Sequence, residues 1–128
     1  MIKLVYIIRR RPDFAPEEFR RRWLAHGPLV AEVAGAIRAR RYVQSHTLDT
    51  PINAILAESR GMAEGYDGIT EVWWDSMEEI VAGMGSPEAQ AAQLRLLEDE
   101  REFIDLASSF VFLTEEHRIF DREGTLDV

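Results

Sequence analysis

Residues 2–8, Ile2-Lys3-Leu4-Val5-Tyr6-Ile7-Ile8, constrain the fold more than any other stretch of the chain. As a strand they place Ile2, Leu4, Tyr6 and Ile8 on one face and Lys3, Val5 and Ile7 on the other. Both faces are largely apolar, so the strand belongs in a sheet covered on both sides. Phe110-Val111-Phe112-Leu113-Thr114 has the same character. A strand over Ile69–Asp75 puts Glu71 and Trp73 on one face and Val72 and Trp74 on the other.

The segments between these strands read as helices and one further strand. Arg11-Pro12-Asp13 ends the first strand. Ala15-Pro16-Glu17-Glu18 then opens a helix, with proline in its first turn and acids at the positive end of its dipole. Phe19, Trp23 and His26, at i, i+4 and i+7, form its inward stripe. Gly27-Pro28 is expected to interrupt that helix, because proline lacks an N–H and disfavours helical geometry in the residue before it. Ile37–Leu48 reads as a second strand, with Tyr42, Gln44 and His46 on one face. Residues 49–68 contain Pro51, Gly61, Gly65 and Gly68 and form an excursion that accommodates a short helix around Ile52–Arg60. A connection this long in a small domain commonly serves as a lid or pocket wall. Ser76-Met77-Glu78-Glu79 caps a short helix ending near Gly83–Gly85, and Ser86-Pro87-Glu88 starts a longer one to about Leu106. At 100° per residue, Glu100 falls in the middle of the apolar face formed by Ala89, Leu96, Leu97, Phe103 and Ile104, with Asp99 at its edge.

The order β-α-β-β-α-β predicts an α+β fold of the ferredoxin-like type, an antiparallel sheet with helices on one face. Residues 1–120 make one domain and residues 121–128 a polar C-terminal tail. A single copy would leave the second sheet face wet, an apolar patch larger than soluble proteins usually expose. A homodimer with two sheets face to face is the expected remedy.

Composition removes several function classes. The chain has no cysteine, which excludes disulfides, thiolate metal sites and a cysteine nucleophile. The net charge of −8 is uneven: residues 1–45 hold ten bases and four acids, and the remainder holds five bases and 19 acids. The arginine clusters at 9–11, 20–22 and 38–41 are therefore expected to pair with acids from the other half. An acidic whole argues against nucleic-acid binding. Nothing approaches the ~20 apolar residues of a membrane span, the basic residues follow rather than precede the first apolar run, and a cytoplasmic location is the default expectation.

The residues that carry chemistry are few. His26, beside the expected helix break, would sit at the negative end of a helical segment, which favours its charged form while burial opposes it. Either it is an acid or base, or it is a buried histidine bonded to a carbonyl that the break frees. His46, Tyr42 and Gln44 offer hydrogen-bonding groups along about 13 Å of strand, at ~3.3 Å per residue. Trp23 and Trp73 are candidate pocket walls. Glu71 and Glu100 are carboxylates among apolar residues, so each must be paired or carry a raised pKa. His26, His46 and His117 have no close ligand spacing, and no metal site is expected. No glycine loop suited to phosphate is present.

Pro16-Glu17-Glu18-Phe19 leading into Trp23-Leu24-Ala25-His26-Gly27-Pro28, then Tyr42-Val43-Gln44-Ser45-His46, resembles the EthD family of the dimeric α+β barrel superfamily. Tyr66-Asp67-Gly68-Ile69-Thr70-Glu71-Val72-Trp73-Trp74 and Glu98-Asp99-Glu100 before Phe103-Ile104-Asp105 extend the resemblance over most of the chain. It implies a dimeric barrel and a small-molecule site without a cofactor, since the superfamily includes cofactor-independent monooxygenases, polyketide cyclases and lactone isomerases. The expected activity is oxygenation, dehydration, cyclisation or isomerisation of a small apolar compound, aromatic or polyketide-like. His26 and His46 would be its catalytic residues. Trp23, Tyr42, Gln44, Glu71, Trp73 and Glu100 would bind its substrate. The alternative is a non-catalytic binding or accessory protein of an oxidative degradation system.

Overall fold

The computed structural model describes residues 1–63 and 65–124, so the last four residues of the expected tail lie outside the described residues. The chain forms β1 (Ile2–Ile8), α1 (Pro16–Val33), β2 (Arg41–His46), α2 (Ile52–Glu58), β3 (Gly68–Trp74), α3 (Met77–Gly85), α4 (Pro87–Glu100) and β4 (Phe110–Glu115). One 3₁₀ turn, Leu106–Ser108, joins α4 to β4. The four strands run β2-β3-β1-β4 across one sheet, and every neighbouring pair is antiparallel. β1 is paired on both sides, with Tyr6 opposite Thr70 and Val111. Together these make a ferredoxin-like α+β fold.

The long helices pack on one face of the sheet. Val30 and Val33 of α1, Ala92 and Leu96 of α4, and Val72 and Trp74 of β3 form one buried cluster. Phe19 and Trp23 of α1, Ile8 of β1, Phe103 and Ile104 form a second. The register puts Val5, Ile7, Phe110 and Phe112 on the opposite face, which no helix among the described residues covers. Phe110 and Phe112 are 57% and 48% exposed there. Trp73 shares that face and is shielded by polar neighbours instead. The Arg41 guanidinium lies 4.6 Å from its ring centre, and its indole N–H donates to Glu116.

Three elements depart from the periodicity of the sequence. α1 does not end at Gly27-Pro28 but runs on to Val33. Pro28 and Leu24, whose carbonyl loses its helical donor, both lie on the exposed side of the helix. Inward anchors on both sides of the proline, Trp23 and His26 before it and Val30 and Val33 after it, outweigh its cost of ~3 kcal/mol. β2 starts at Arg41 rather than Ile37. Ile37 is buried in a turn that ends with Arg38 at φ +62°, and its carbonyl accepts the Trp74 indole N–H at 2.8 Å. α4 stops at Glu100 because the following backbone pairs with the extension of β1. Arg11 N–H donates to the Phe103 carbonyl and Asp105 N–H to the Arg9 carbonyl, each at 2.9 Å.

The serine caps of α3 and α4 form as expected, but the capping box expected over Ser76–Glu79 is only half made, because the Glu79 carboxylate pairs with Arg38. The Ser76 hydroxyl accepts from Glu79 N–H at 3.2 Å, and Ser86 from Ala89 N–H at 3.0 Å. Between those caps, α3 presses on the turn after α1. A Cβ added at Gly83 would lie 2.1 Å from the Ile37 carbonyl oxygen. Gly83→Ala is therefore expected to push that carbonyl off the Trp74 indole and to cost about 2–3 kcal/mol. Urea denaturation of the variant measures the loss, and an unchanged midpoint would contradict this packing.

Candidate functional site

The two buried clusters do not close on each other. Between them lies a cavity of about 440 Å³, walled by apolar side chains such as Val30, Val72, Trp74, Leu96 and Ile104. Seven polar residues also line it: Tyr6, His26, Tyr42, Thr70, Gln93, Glu100 and Ser109. Size and composition suit a small, mostly apolar ligand fixed at a few points.

His26 is 4% exposed. Its Nδ1 lies 2.6 Å from Asp99 Oδ2, across the contact between α1 and α4. Arg22, one helical turn earlier, grips the same carboxylate with Nη2 at 2.5 Å from Oδ1 and Nη1 at 3.2 Å from Oδ2. These hydrogen bonds from Arg22, seconded by His26, hold Asp99 below the usual carboxylate range despite its partial burial. An ionised carboxylate only accepts, so the imidazole proton sits on Nδ1. Nε2 is left facing the cavity with a lone pair when the ring is neutral. An imidazole oriented in this way by a carboxylate is built to take up and release a proton.

Glu100 is the other acid of the cavity. Its Oε2 lies 4.0 Å from His26 Nε2, too far for a direct hydrogen bond, and its Oε1 accepts from the Tyr6 phenol at 3.2 Å. Burial pushes its pKa up to about 7, the neighbouring charge of Asp99 adds to the effect, and the bond from Tyr6 partly opposes it. Burial and the Glu100 charge in turn push the Tyr6 phenol up.

β2 supplies a hydrogen-bonded row below α1. Gln44 Nε2 donates to the Trp23 carbonyl at 2.8 Å and to the Tyr42 phenol oxygen at 2.9 Å. Gln44 Oε1 lies 2.8 Å from His46 Nε2. The His46 ring stacks on Trp23 with centroids 4.2 Å apart and planes 4° from parallel. Burial and the charge of Arg20 lower its pKa, and burial raises that of Tyr42. Gly68 makes the stack possible, since a Cβ there would lie 2.6 Å from the Trp23 ring.

The structure thus brings Trp23, His26, Tyr42 and Glu100 to one cavity. Gln44 and His46 stand behind Tyr42 and Trp23. Glu71 and Trp73 lie elsewhere, on the far face of the sheet, where Glu71 pairs with Lys3 at 2.7 Å. Trp74 takes the wall position expected of Trp73. Sequence reasoning left out Tyr6, Asp99 and Arg22. Lys3 was the available signal: a lysine does not belong under helices, so the even face of β1, with Tyr6, had to be the inner one. Among the described residues no three histidine or carboxylate side chains come together as metal ligands.

The raised pKa of Glu100 has a sign that can be checked. Between about pH 4.5 and 7 the folded chain keeps a proton that the unfolded chain releases, so stability falls as pH rises through that window. The full penalty, present above pH 7, is on the order of 3 kcal/mol. Glu100→Gln is expected to raise unfolding stability by about 1–2 kcal/mol at pH 8 and to leave it nearly unchanged at pH 5. Urea melts at the two pH values provide the measurement. An equal effect at both would show that burial of this carboxylate is not the cause.

No curated protein matches the chain at a significant level. Solved structures share its fold at low identity. An EthD family protein from Bacillus halodurans is 17% identical, with a TM-score of 0.60, over 91% of this chain and 98% of that one. A dimeric protein of unknown function and ferredoxin-like fold from Bacteroides fragilis is 15% identical, with a TM-score of 0.57, over 90% and 95%. SnoaB, a cofactor-independent oxygenase from Streptomyces nogalater, is 12% identical, with a TM-score of 0.54, over 91% and 93%. The family model of the EthD domain matches residues 11–107, which carry α1, β2, β3, α4 and most of the cavity. The chain belongs to the EthD family.

Proposed function

We propose that this protein is an enzyme that works without a cofactor on a small, mostly apolar molecule, moving a proton beside a carbonyl or hydroxyl group. One observation carries the reading: His26 has one ring nitrogen held by Asp99 at 2.6 Å and the other turned into an apolar cavity of about 440 Å³. His26 is the acid or base and Asp99 its orienting partner. Glu100, close to half-protonated at neutral pH, lies 4.0 Å away as a second proton carrier. Trp23 and Trp74 are walls. Oxygenation, dehydration, cyclisation and isomerisation of an aromatic or polyketide-like compound all begin with such a transfer. The description of SnoaB as a cofactor-independent oxygenase is consistent with that chemistry on this fold.

The bare sheet face supports a homodimer. Phe110 and Phe112 are about half exposed on a face shared with Val5 and Ile7, and similar folds from Bacteroides fragilis and Thermobifida fusca are described as dimeric. A second sheet packed on this face removes the apolar patch from water.

Proton transfer is tested with 2-tetralone in D₂O, by following loss of the C1 proton signal by NMR. Wild type is expected to accelerate exchange, and His26→Ala to lose about 10²–10⁴-fold of that acceleration. Asp99→Asn should lose part of it by freeing the imidazole orientation. Exchange that is unchanged in His26→Ala would remove the enzymatic reading and leave a binding protein. Assembly is tested by sedimentation: wild type is expected as a dimer at micromolar concentration and Phe112→Glu as a monomer. A monomeric wild type would refute the dimer.

A further inference from the structure

The hydrogen bonds behind the cavity run in one direction. The Trp23 carbonyl only accepts, so the Gln44 atom 2.8 Å from it is the amide nitrogen. The second hydrogen of that nitrogen goes to the Tyr42 phenol oxygen at 2.9 Å. The Gln44 carbonyl oxygen is thereby turned toward His46, whose Nε2, 2.8 Å away, must carry a proton to donate. His46 gives to Gln44, and Gln44 gives to Tyr42. Having received a hydrogen bond, the phenol has its own proton left to give. It faces the cavity and the Thr70 hydroxyl, itself a potential donor.

Charge narrows the occupant further. Among the described residues no lysine or arginine lines the cavity. Arg22, one turn from His26, spends its guanidinium on Asp99 and lies over Phe103 at 4.8 Å. A ligand carboxylate would be buried beside Glu100 with no cation to balance it, which is costly. A neutral oxygen that only accepts has no such penalty and can take the phenol proton that the bond from Gln44 leaves available.

We propose that the cavity selects an uncharged ligand bearing a carbonyl oxygen, that the Tyr42 phenol donates to that oxygen, and that Gln44 and His46 are positioning residues which fix the direction of that donation. The proposal rests on the reading of the cavity as a small-molecule site. It gives the ligand its chemical class and gives His46 a role other than proton transfer.

Three probes with one ring skeleton test it: 2-tetralone, the hydrocarbon tetralin, and 1,2,3,4-tetrahydro-2-naphthoate. Affinities are measured by NMR titration of the intact protein at pH 7.5. Wild type is expected to bind the ketone on the order of a hundredfold more tightly than the carboxylate. Tyr42→Phe should weaken the ketone about five- to tenfold and leave tetralin unchanged, which also shows that the variant is folded. His46→Phe, which keeps the ring stacked on Trp23, and Gln44→Leu should reduce the ketone-to-tetralin ratio about threefold, a selectivity change that a loss of packing alone would not produce. Carboxylate binding within tenfold of the ketone would overturn the proposal. So would a Tyr42→Phe effect that is the same for ketone and hydrocarbon. In either case the small-molecule site itself would stand, because a probe is bound. Failure of all three probes to bind wild type would overturn both.

Discussion

Asp99 takes hydrogen bonds from Arg22 and His26 at once, and the spacing of those residues, one helical turn apart on α1, makes this possible. The contact fixes how α1 sits against α4, which nitrogen of His26 carries the proton, and which nitrogen is left for the cavity. Arg22 also keeps Asp99 ionised, so the imidazole always meets an acceptor. Each partner in such a cluster depends on the others. Without the carboxylate, the buried imidazole of His26 would be left without its partner inside the domain.

The same arrangement explains why the core is divided. Helix α1 contributes Phe19 and Trp23 to one apolar cluster and Val30 and Val33 to the other, with His26 between them on the same stripe. Helix α4 brings Glu100 to that gap and β1 brings Tyr6. Burial makes the charge of Glu100 expensive there and pushes its pKa up to about 7.

Much of this was readable from residue order alone. The alternation in β1, β3 and β4, the stripe Phe19-Trp23-His26 and the place of Glu100 on its helix all reflect local periods, which tertiary contacts reinforce. The family resemblance drawn from the Trp23–Pro28 and Tyr42–His46 stretches agrees with the match over residues 11–107. What escaped the sequence depends on non-local balance. Pro28 stays within α1 because anchors on both sides hold it, and no local rule weighs them. The end of α4 is set by backbone pairing with residues 9–11, far away in the chain. Which of Trp73 and Trp74 faces the helices depends on the register with β1, since a strand reads equally well from either side. Asp99 could be placed at the edge of α4, but its partners lie 73 and 77 residues away.

Under the proposed function, the cavity between the two halves of the core ties the lifetime of the chain to its ligand. A ligand that binds only the folded state shifts the folding equilibrium by mass action. Unfolded chains are the ones that proteases remove, so a cell making the ligand would accumulate more of this protein from the same message. The space between Trp23 and Trp74 would then act as a gauge of ligand supply, read out as protein abundance without any dedicated sensor.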